Sequence, residues 1–211
     1  MIYELRTYTL APGTQAKYIQ LSAEVGRKAR GDRYGTLEGH WYSEFGTLNQ
    51  AVHLWSYPDL NERDRLRAEL AKNEEWTKGY LPQTRGMIVA QENKILSAAV
   101  PLTPPTDSGN IYELRWYRTQ VGKAAEWIGL FKGILPTREK YMRRVGVWTS
   151  EIGSLNEVVH MWVFKSLDER AAQRAKMAQD PEWQKFLAAS TSLLVHMQAT
   201  ILNPSPHSPM R

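Results

Sequence analysis

The chain contains no cysteine among its 211 residues, which excludes disulfide bonds, thiolate metal sites and thiol nucleophiles. No apolar stretch approaches the ~20 residues that a membrane-spanning helix requires. Residues 1–6 begin directly with a strand-like alternation and lack the basic and apolar run of a secretory signal. We therefore expect a cytoplasmic protein that spans no membrane.

Several motifs with well-defined chemistry are also missing. The sequence has no Gly-rich phosphate loop, no His-x-x-x-His or Asp-rich metal spacing and no nucleophile elbow. We therefore expect no metal site and no obligatory cofactor. The formal net charge of +5 comes from Lys and Arg residues scattered along helical patterns rather than gathered in a run, so a nucleic-acid partner is not expected.

The most informative feature present is an internal repeat. IYELRTY at 2–8 recurs as IYELRWY at 111–117, and SEFGTLNQAVHLW at 43–55 recurs as SEIGSLNEVVHMW at 150–162. LNER at 60–63 then matches LDER at 167–170, and Trp76 matches Trp183. Four matches in one order, at nearly constant spacing, indicate a tandem duplication.

The duplication predicts a first repeat at 1–99, a linker at 100–109, a second repeat at 110–203 and a flexible tail at 204–211. Prolines and small polar residues in the linker and tail support these limits. Within each repeat, apolar periods of 2 and 3.6 alternate in the order β-α-β-β-α-β, the ferredoxin-like pattern. We therefore predict an α+β fold with helices on one face of each four-stranded antiparallel sheet.

The third strand of each repeat has two different faces. Val52 and Leu54 alternate with His53 and Trp55, and residues 158–164 repeat this arrangement. We expect the aliphatic face to lie under the helices. The aromatic faces of the two repeats would then press together, because soluble proteins rarely expose such patches. The predicted product is a pseudo-dimeric α+β barrel.

The segments at 43–55 and 150–162, each followed by Leu-x-Glu-Arg, resemble the signature of NIPSNAP proteins. The opening Tyr-Glu-Leu-Arg and the Trp after the second helix also fit, and the resemblance covers most of both repeats. It implies the dimeric α/β-barrel superfamily, which also contains antibiotic-biosynthesis monooxygenases, muconolactone isomerases and heme-handling enzymes. The resemblance implies a fold and no particular reaction.

Two histidines are the candidate catalytic residues. His53 and His160 occupy the same mid-strand position beside a Trp, where a neutral imidazole could act as a general base or as an axial ligand to heme iron. The alternative is a core histidine satisfied by a hydrogen bond. Glu44 and Glu151 lie on the neighbouring hairpin arm, and we expect each carboxylate to orient its imidazole or to raise its pKa.

The candidate ligand-binding residues lie on the first strand of each repeat or beside the histidines. One alternative is that a one-residue change of register turns the charged side chains to solvent. Another is that the tryptophans are core residues. These candidates are Glu4, Arg6, Tyr8 and Trp55 in the first repeat and Glu113, Arg115, Tyr117 and Trp162 in the second.

The leading functional hypothesis is a small-molecule-binding protein of the NIPSNAP type. Its candidate activity is cofactor-free proton-transfer or oxidative chemistry on a hydrophobic or aromatic compound. One alternative is a heme-binding or heme-transfer module, and another is a non-catalytic interaction protein. A homodimer is compatible with all three, and the sequence leaves open which repeat carries the site.

Overall fold

The computed structural model describes residues 1–211 and confirms the predicted α+β barrel. Its eight strands follow the hydrogen-bonded order β1-β3-β2-β8-β5-β7-β6-β4 in a closed barrel. None of the helices combines the length and the apolar character needed to cross a bilayer. The strands are β1 (Ile2–Leu10), β2 (Thr36–Phe45), β3 (Gln50–Tyr57), β4 (Ile88–Val100), β5 (Ile111–Thr119), β6 (Arg143–Ile152), β7 (Glu157–Phe164) and β8 (Leu194–Pro204).

The chain folds as two compact units. Unit 1 comprises Met1–Leu96 and Leu202–Arg211, and unit 2 comprises Ser97–Ile201. Residues 204–211, predicted to be a flexible tail, therefore belong to unit 1. The backbone N–H of Ser205 donates to the carbonyl of His40 at 2.9 Å, and the N–H of His40 donates to Ser208 Oγ at 3.0 Å. These bonds dock the C-terminal segment on β2.

In unit 1, three contiguous helical segments lie between β1 and β2, and four lie between β3 and β4, the last of them a 3-10 helix at Arg85–Met87. Equivalent side chains cap α3 and α6: Asp59 accepts from the N–H of Glu62 and Ser166 from that of Glu169. Unit 1 contains α1 (Gln15–Leu21), a π-helical turn (Ser22–Gly26), α2 (Arg27–Arg30), α3 (Leu60–Leu70), a second π-helical turn (Glu75–Tyr80) and α4 (Leu81–Thr84). Unit 2 contains α5 (Ala124–Arg138), α6 (Leu167–Ala178) and α7 (Pro181–Ser190).

The first helical regions of the two units differ by one inserted residue. Tyr18 of α1 corresponds to Trp127 of α5, because each lies at the same distance from its preceding strand. Arg30 corresponds to Arg138, because each guanidinium lies over the tryptophan of the equivalent strand. Arg138, however, lies one residue closer to its preceding strand than Arg30 does. The extra residue in unit 1 falls at the π-helical turn Ser22–Gly26, as expected for an insertion into an α-helix.

The hairpins between β2 and β3 and between β6 and β7 follow the prediction. Asn49 and Asn156 have φ values of 56° and 57°, in the left-handed region that Asn tolerates in turns.

Within β2, a tryptophan packs on a glycine of the same strand. A Cβ at Gly39 would lie 2.1 Å from the ring of Trp41, so only glycine leaves room for this core indole.

The helices cover the sheet face opposite to the one we predicted. Arg30 of α2 has its Cζ 3.4 Å from the ring centroid of Trp55, and Trp127 of α5 stacks on His160 at 6.2 Å. Val52 therefore lies on the face away from the helices. The prediction was wrong because it chose the helix-covered face by apolar character alone, whereas these helices contribute arginines and aromatic rings that suit imidazole and indole.

Candidate ligand-binding site in the first unit

A cavity of about 300 Å³ lies between the sheet and the helices of unit 1, within the size range of small-molecule sites. Aromatic side chains from both the sheet and the helices line it, and they include Tyr8, Tyr18, Trp55 and Trp76. No aspartate or glutamate lines the cavity. The cations along it are Arg6, Arg27, Arg30 and Arg67.

The π-helical turn explains why this space is open. Ser22 and Gly26 contribute only small groups to the wall. A Cβ at Gly26 would lie 2.8 Å from the ring of Tyr80, so glycine is required for that ring to pack against the turn. Ser22 Oγ and Tyr80 Oη are hydrogen-bonded at 2.8 Å, which fixes the far side of the cavity. The inserted residue thus comes with small side chains that leave room for a ligand.

His53 lies on β3 and faces the cavity. Trp55 Nε1 donates a hydrogen bond of 2.6 Å to His53 Nδ1. Burial lowers the pKa of His53 well below the usual 6.5, and the neighbouring His40, Arg6 and Arg30 lower it further. The ring is therefore neutral, and because Nδ1 accepts, the proton resides on Nε2. That atom is buried and has no hydrogen-bond partner in the protein.

This tautomer decides which chemistry the imidazole can support. A general base and an axial ligand to heme iron both need a lone pair on Nε2, whereas the bond from Trp55 leaves a proton there. His160 has the same arrangement, since Trp162 Nε1 donates to its Nδ1 at 2.7 Å. The residues of this site therefore do not fit heme ligation. They fit a hydrogen-bond donor directed at a ligand atom.

Arg30 is the most deeply buried cation of the cavity, with 5% of its surface exposed. Its Nη2 donates to Tyr57 Oη at 2.8 Å and to the carbonyl of Tyr34 at 3.1 Å, and it forms no ion pair with a carboxylate. Burial lowers the pKa of Arg30 to about 10. A buried positive charge satisfied only by neutral oxygens favours a nearby anion.

Glu4 was predicted to bind ligand, but it is fully engaged by protein groups. Its Oε1 accepts from Arg63 Nε at 3.1 Å, from Asn93 Nδ2 at 2.7 Å and from Arg6 Nη1 at 3.3 Å. Burial opposes ionisation of Glu4, but Arg6 and Arg63 outweigh it and lower the pKa of the carboxyl. The arginine of the LNER motif thus ties α3 to β1. The same arrangement joins Glu113, Arg115 and Arg170 in unit 2.

The predicted Glu–His pairs are not formed. Glu44 is exposed and accepts from Asn203 Nδ2 at 3.0 Å, and Glu151 is also exposed. The register of β2 and β3 places His40 opposite His53, so the glutamate lies beyond the histidine along the hairpin. The hairpin arm was predicted correctly, but the continuous register from His40 to Tyr42 places Glu44 near the turn and away from His53.

Sequence reasoning missed two further histidines at this site. His40 stacks on His53 with ring centroids 5.3 Å apart, and His207 packs on His40 at 4.4 Å. Both line the cavity. Ser205 Oγ bonds to His40 Nδ1 at 2.8 Å, which holds the C-terminal segment in place. His40 lacks a counterpart in the second repeat, and this asymmetry was the only sequence signal for it.

The equivalent space above His160 in unit 2 is filled. Trp127 and Phe131 lie with their ring centroids 6.2 Å and 5.1 Å from that of His160, and Phe131 occupies the position of Ser22. Arg115 and Tyr117 line a separate cavity that does not include His160 or Trp162. The predicted site residues that the structure brings together on one cavity are Arg6, Tyr8, His53 and Trp55.

Comparison with known proteins supports the resemblance seen in the repeat. A family profile described as NIPSNAP matches residues 3–101 and 112–209. Human Protein NipSnap homolog 3A is 32% identical over 217 residues, covering 100% of this chain and 86% of the human one. The Protein NipSnap homolog of Dictyostelium discoideum is 28% identical, covering 96% of this chain and 87% of its own.

Two solved structures share the whole fold at low sequence identity. A putative monooxygenase from Lactobacillus acidophilus superposes with a TM-score of 0.70 at 13% identity, covering 97% of this chain and 93% of that one. An anthrone oxidase-like protein superposes with a TM-score of 0.67 at 10% identity, covering 98% and 92%. At these identities the likeness concerns the fold alone.

Proposed function

The chain belongs to the NIPSNAP family, and we propose that it is a small-molecule-binding protein. Its ligand would be an aromatic or hydrophobic compound that carries an anionic oxygen, and its site would be the cavity of unit 1. The observation that carries this proposal is the pairing of an unsatisfied donor, His53 Nε2, with a buried cation, Arg30, on one cavity. The cytoplasmic location remains a prediction.

The charge balance favours an anion. Arg27 is neutralised by Asp32 and Arg6 by Glu4, but Arg30 bonds only to a phenol and a carbonyl. A carboxylate, phenolate or enolate oxygen would give this guanidinium a charged acceptor, and such bonds are stronger than neutral ones. The same oxygen could accept from His53.

The walls favour a flat ligand. Tyr8 and Tyr18 meet edge to face at 6.5 Å, and Trp76 and Tyr80 pack with their centroids 4.7 Å apart. Aromatic side chains of this kind bind rings by stacking and edge contacts.

A candidate activity follows from the same donors. A neutral imidazole N–H and a guanidinium directed at one oxygen lower the pKa of a bound phenol or enol, because they stabilise its anion. Such an anion is the reactive form in proton transfer and in oxidation without a cofactor. The protein's own contribution would be to bind and orient the ligand and to stabilise its anion, with the proton released to water.

The proposal is tested by isothermal titration calorimetry with 1-naphthoate and its neutral analogue 1-naphthamide. The carboxylate should bind at least roughly tenfold more tightly than the amide, because only the carboxylate forms charge-assisted bonds. Equal affinities would contradict selection of an anion. Absence of saturable binding by both compounds would remove the cavity as an aromatic site.

A further inference from the structure

Unit 2 contains a cavity that the proposed function does not use. Its volume is about 330 Å³, and it lies among β5, α5, α6, α7 and the start of β8. We propose that this cavity is a second binding site, specific for an organic carboxylate with an aliphatic chain, and that Arg138 holds the carboxylate.

Arg138 is a buried cation with unused hydrogen-bond donors. Only 2% of its surface is exposed, and neither Nε nor Nη2 has a hydrogen-bond partner. Its Cζ lies 3.9 Å from the ring centroid of Trp162 and 5.2 Å from those of Phe131 and Trp183. Such rings cover the faces of a guanidinium, whereas its N–H groups point outward in the plane. The aromatic contacts therefore leave the donors available for an acceptor.

The tandem repeat shows which partner is missing. In unit 1 the equivalent Arg30 donates from Nη2 to Tyr57 Oη at 2.8 Å. The residue equivalent to Tyr57 in unit 2 is Phe164, which has no hydroxyl. Arg138 has thus kept its charge and burial while losing an acceptor, and burial lowers its pKa to about 9. A ligand carboxylate would supply the missing oxygen.

The rest of the cavity differs in chemistry from that of unit 1. No aspartate or glutamate lines it, so the ligand would not compete with a protein carboxylate for Arg138. His160 does not line this space, and Phe131 packs on its ring with centroids 5.1 Å apart, so the cavity has no imidazole donor. No histidine lines it, and beside its aromatic rings lie flexible aliphatic side chains that suit a hydrocarbon chain. These side chains are Met177, Leu187, Leu194 and Met197.

The test compares octanoate with octan-1-ol by calorimetry on the full chain. Octanoate should bind the wild type and octan-1-ol should bind much more weakly. Arg138→Met should weaken octanoate binding by roughly tenfold or more, because it removes the charged partner and keeps the bulk. The control Lys176→Met, which removes a positive charge from an exposed position of α6 outside the cavity lining, should leave octanoate binding unchanged. Octanoate binding that Arg138→Met leaves unchanged would overturn the assignment, as would equal binding of the acid and the alcohol.

Two further measurements keep the outcome decisive. Replacing an unpaired buried charge by an apolar side chain is often neutral or stabilising, so the melting temperature of Arg138→Met should not fall. Should that variant fail to fold, Ala178→Phe fills the same cavity from an exposed position on α6 and should also abolish octanoate binding. Octanoate binding that survives Ala178→Phe would place the ligand elsewhere. The result does not depend on naphthoate binding in unit 1.

Discussion

The imidazole of His53 accepts a hydrogen bond from Trp55 through Nδ1 and can donate one to a ligand through Nε2. Replacing His53 by Asn separates these two roles. The amide oxygen of Asn lies near the position of Nδ1 and can still accept from Trp55, which keeps the strand-face bond of 2.6 Å. No atom of Asn reaches the position of Nε2, which faces the cavity without a protein partner. His53→Asn should therefore remove the donor to the ligand and leave the fold intact.

The size of the effect follows from the chemistry of the lost bond. A hydrogen bond to a charged group contributes about 1.5–3 kcal/mol, which corresponds to a roughly 10- to 150-fold increase in the Kd of 1-naphthoate. His53→Gln should lose less affinity, because its longer side chain can place an amide N–H near the position of Nε2. The order of affinity is then wild type, Gln, Asn.

The second repeat supplies a matched control. His160→Asn makes the same substitution beside the same tryptophan bond of 2.7 Å, but Trp127 and Phe131 fill the space above that ring. This variant should melt at a lower temperature, because the smaller side chain leaves a void in the core, and should bind 1-naphthoate like the wild type. Calorimetry and thermal melts on both variants check this. Equal losses of affinity in both variants, or none in His53→Asn, would refute the role given to Nε2.

Two other outcomes test the site and its electrostatics. Ser22→Phe gives unit 1 the phenyl group that Phe131 provides in unit 2, and this group should fill the cavity. Binding of 1-naphthoate, measured by calorimetry, should be lost while the chain remains folded. Unchanged binding would put the ligand outside this cavity. His53 and His160 have pKa values well below 6.5 in the fold, so the unfolded chain takes up protons that the fold does not. The free energy of unfolding in urea should therefore decrease as the pH falls below 6.5, by up to about 1.4 kcal/mol per pH unit for each histidine, and the double Asn variant should show a smaller slope.

Much of the fold could be predicted because it depends on local chemistry and on the repeat. The turn at Asn49 needs a left-handed residue, and the caps at Asp59 and Ser166 need a short polar side chain three residues before a glutamate. Each signal acts over a few residues. Which sheet face the helices cover could not be predicted from such local signals. It depends on which helical side chains pack against the sheet, and these are distant in sequence from the strands.

The site was only half predictable for the same reason. Alternation along the strands places Arg6 and Tyr8 on one face of β1 and His53 and Trp55 on one face of β3, and the pairing of Arg6 with His53 brings the two sets together. Arg30 could not be identified, since it is one of many arginines on helical patterns until the sheet lies beneath it. His207 was assigned to a flexible tail, since nothing local indicates that Ser205 bonds to His40.

The difference between the two units shows how a duplicated module acquires two distinct cavities. One inserted residue creates the π-helical turn in unit 1, which brings Ser22 and Gly26 to the wall and opens the space over His53. Without the insertion, an unbroken α5 places large rings over the equivalent histidine, and the free volume shifts toward α6 and α7. The buried arginine is common to both units. The remaining lining of each cavity would then determine which class of anion each unit binds: it includes a donor imidazole in unit 1, and aliphatic side chains without a histidine in unit 2.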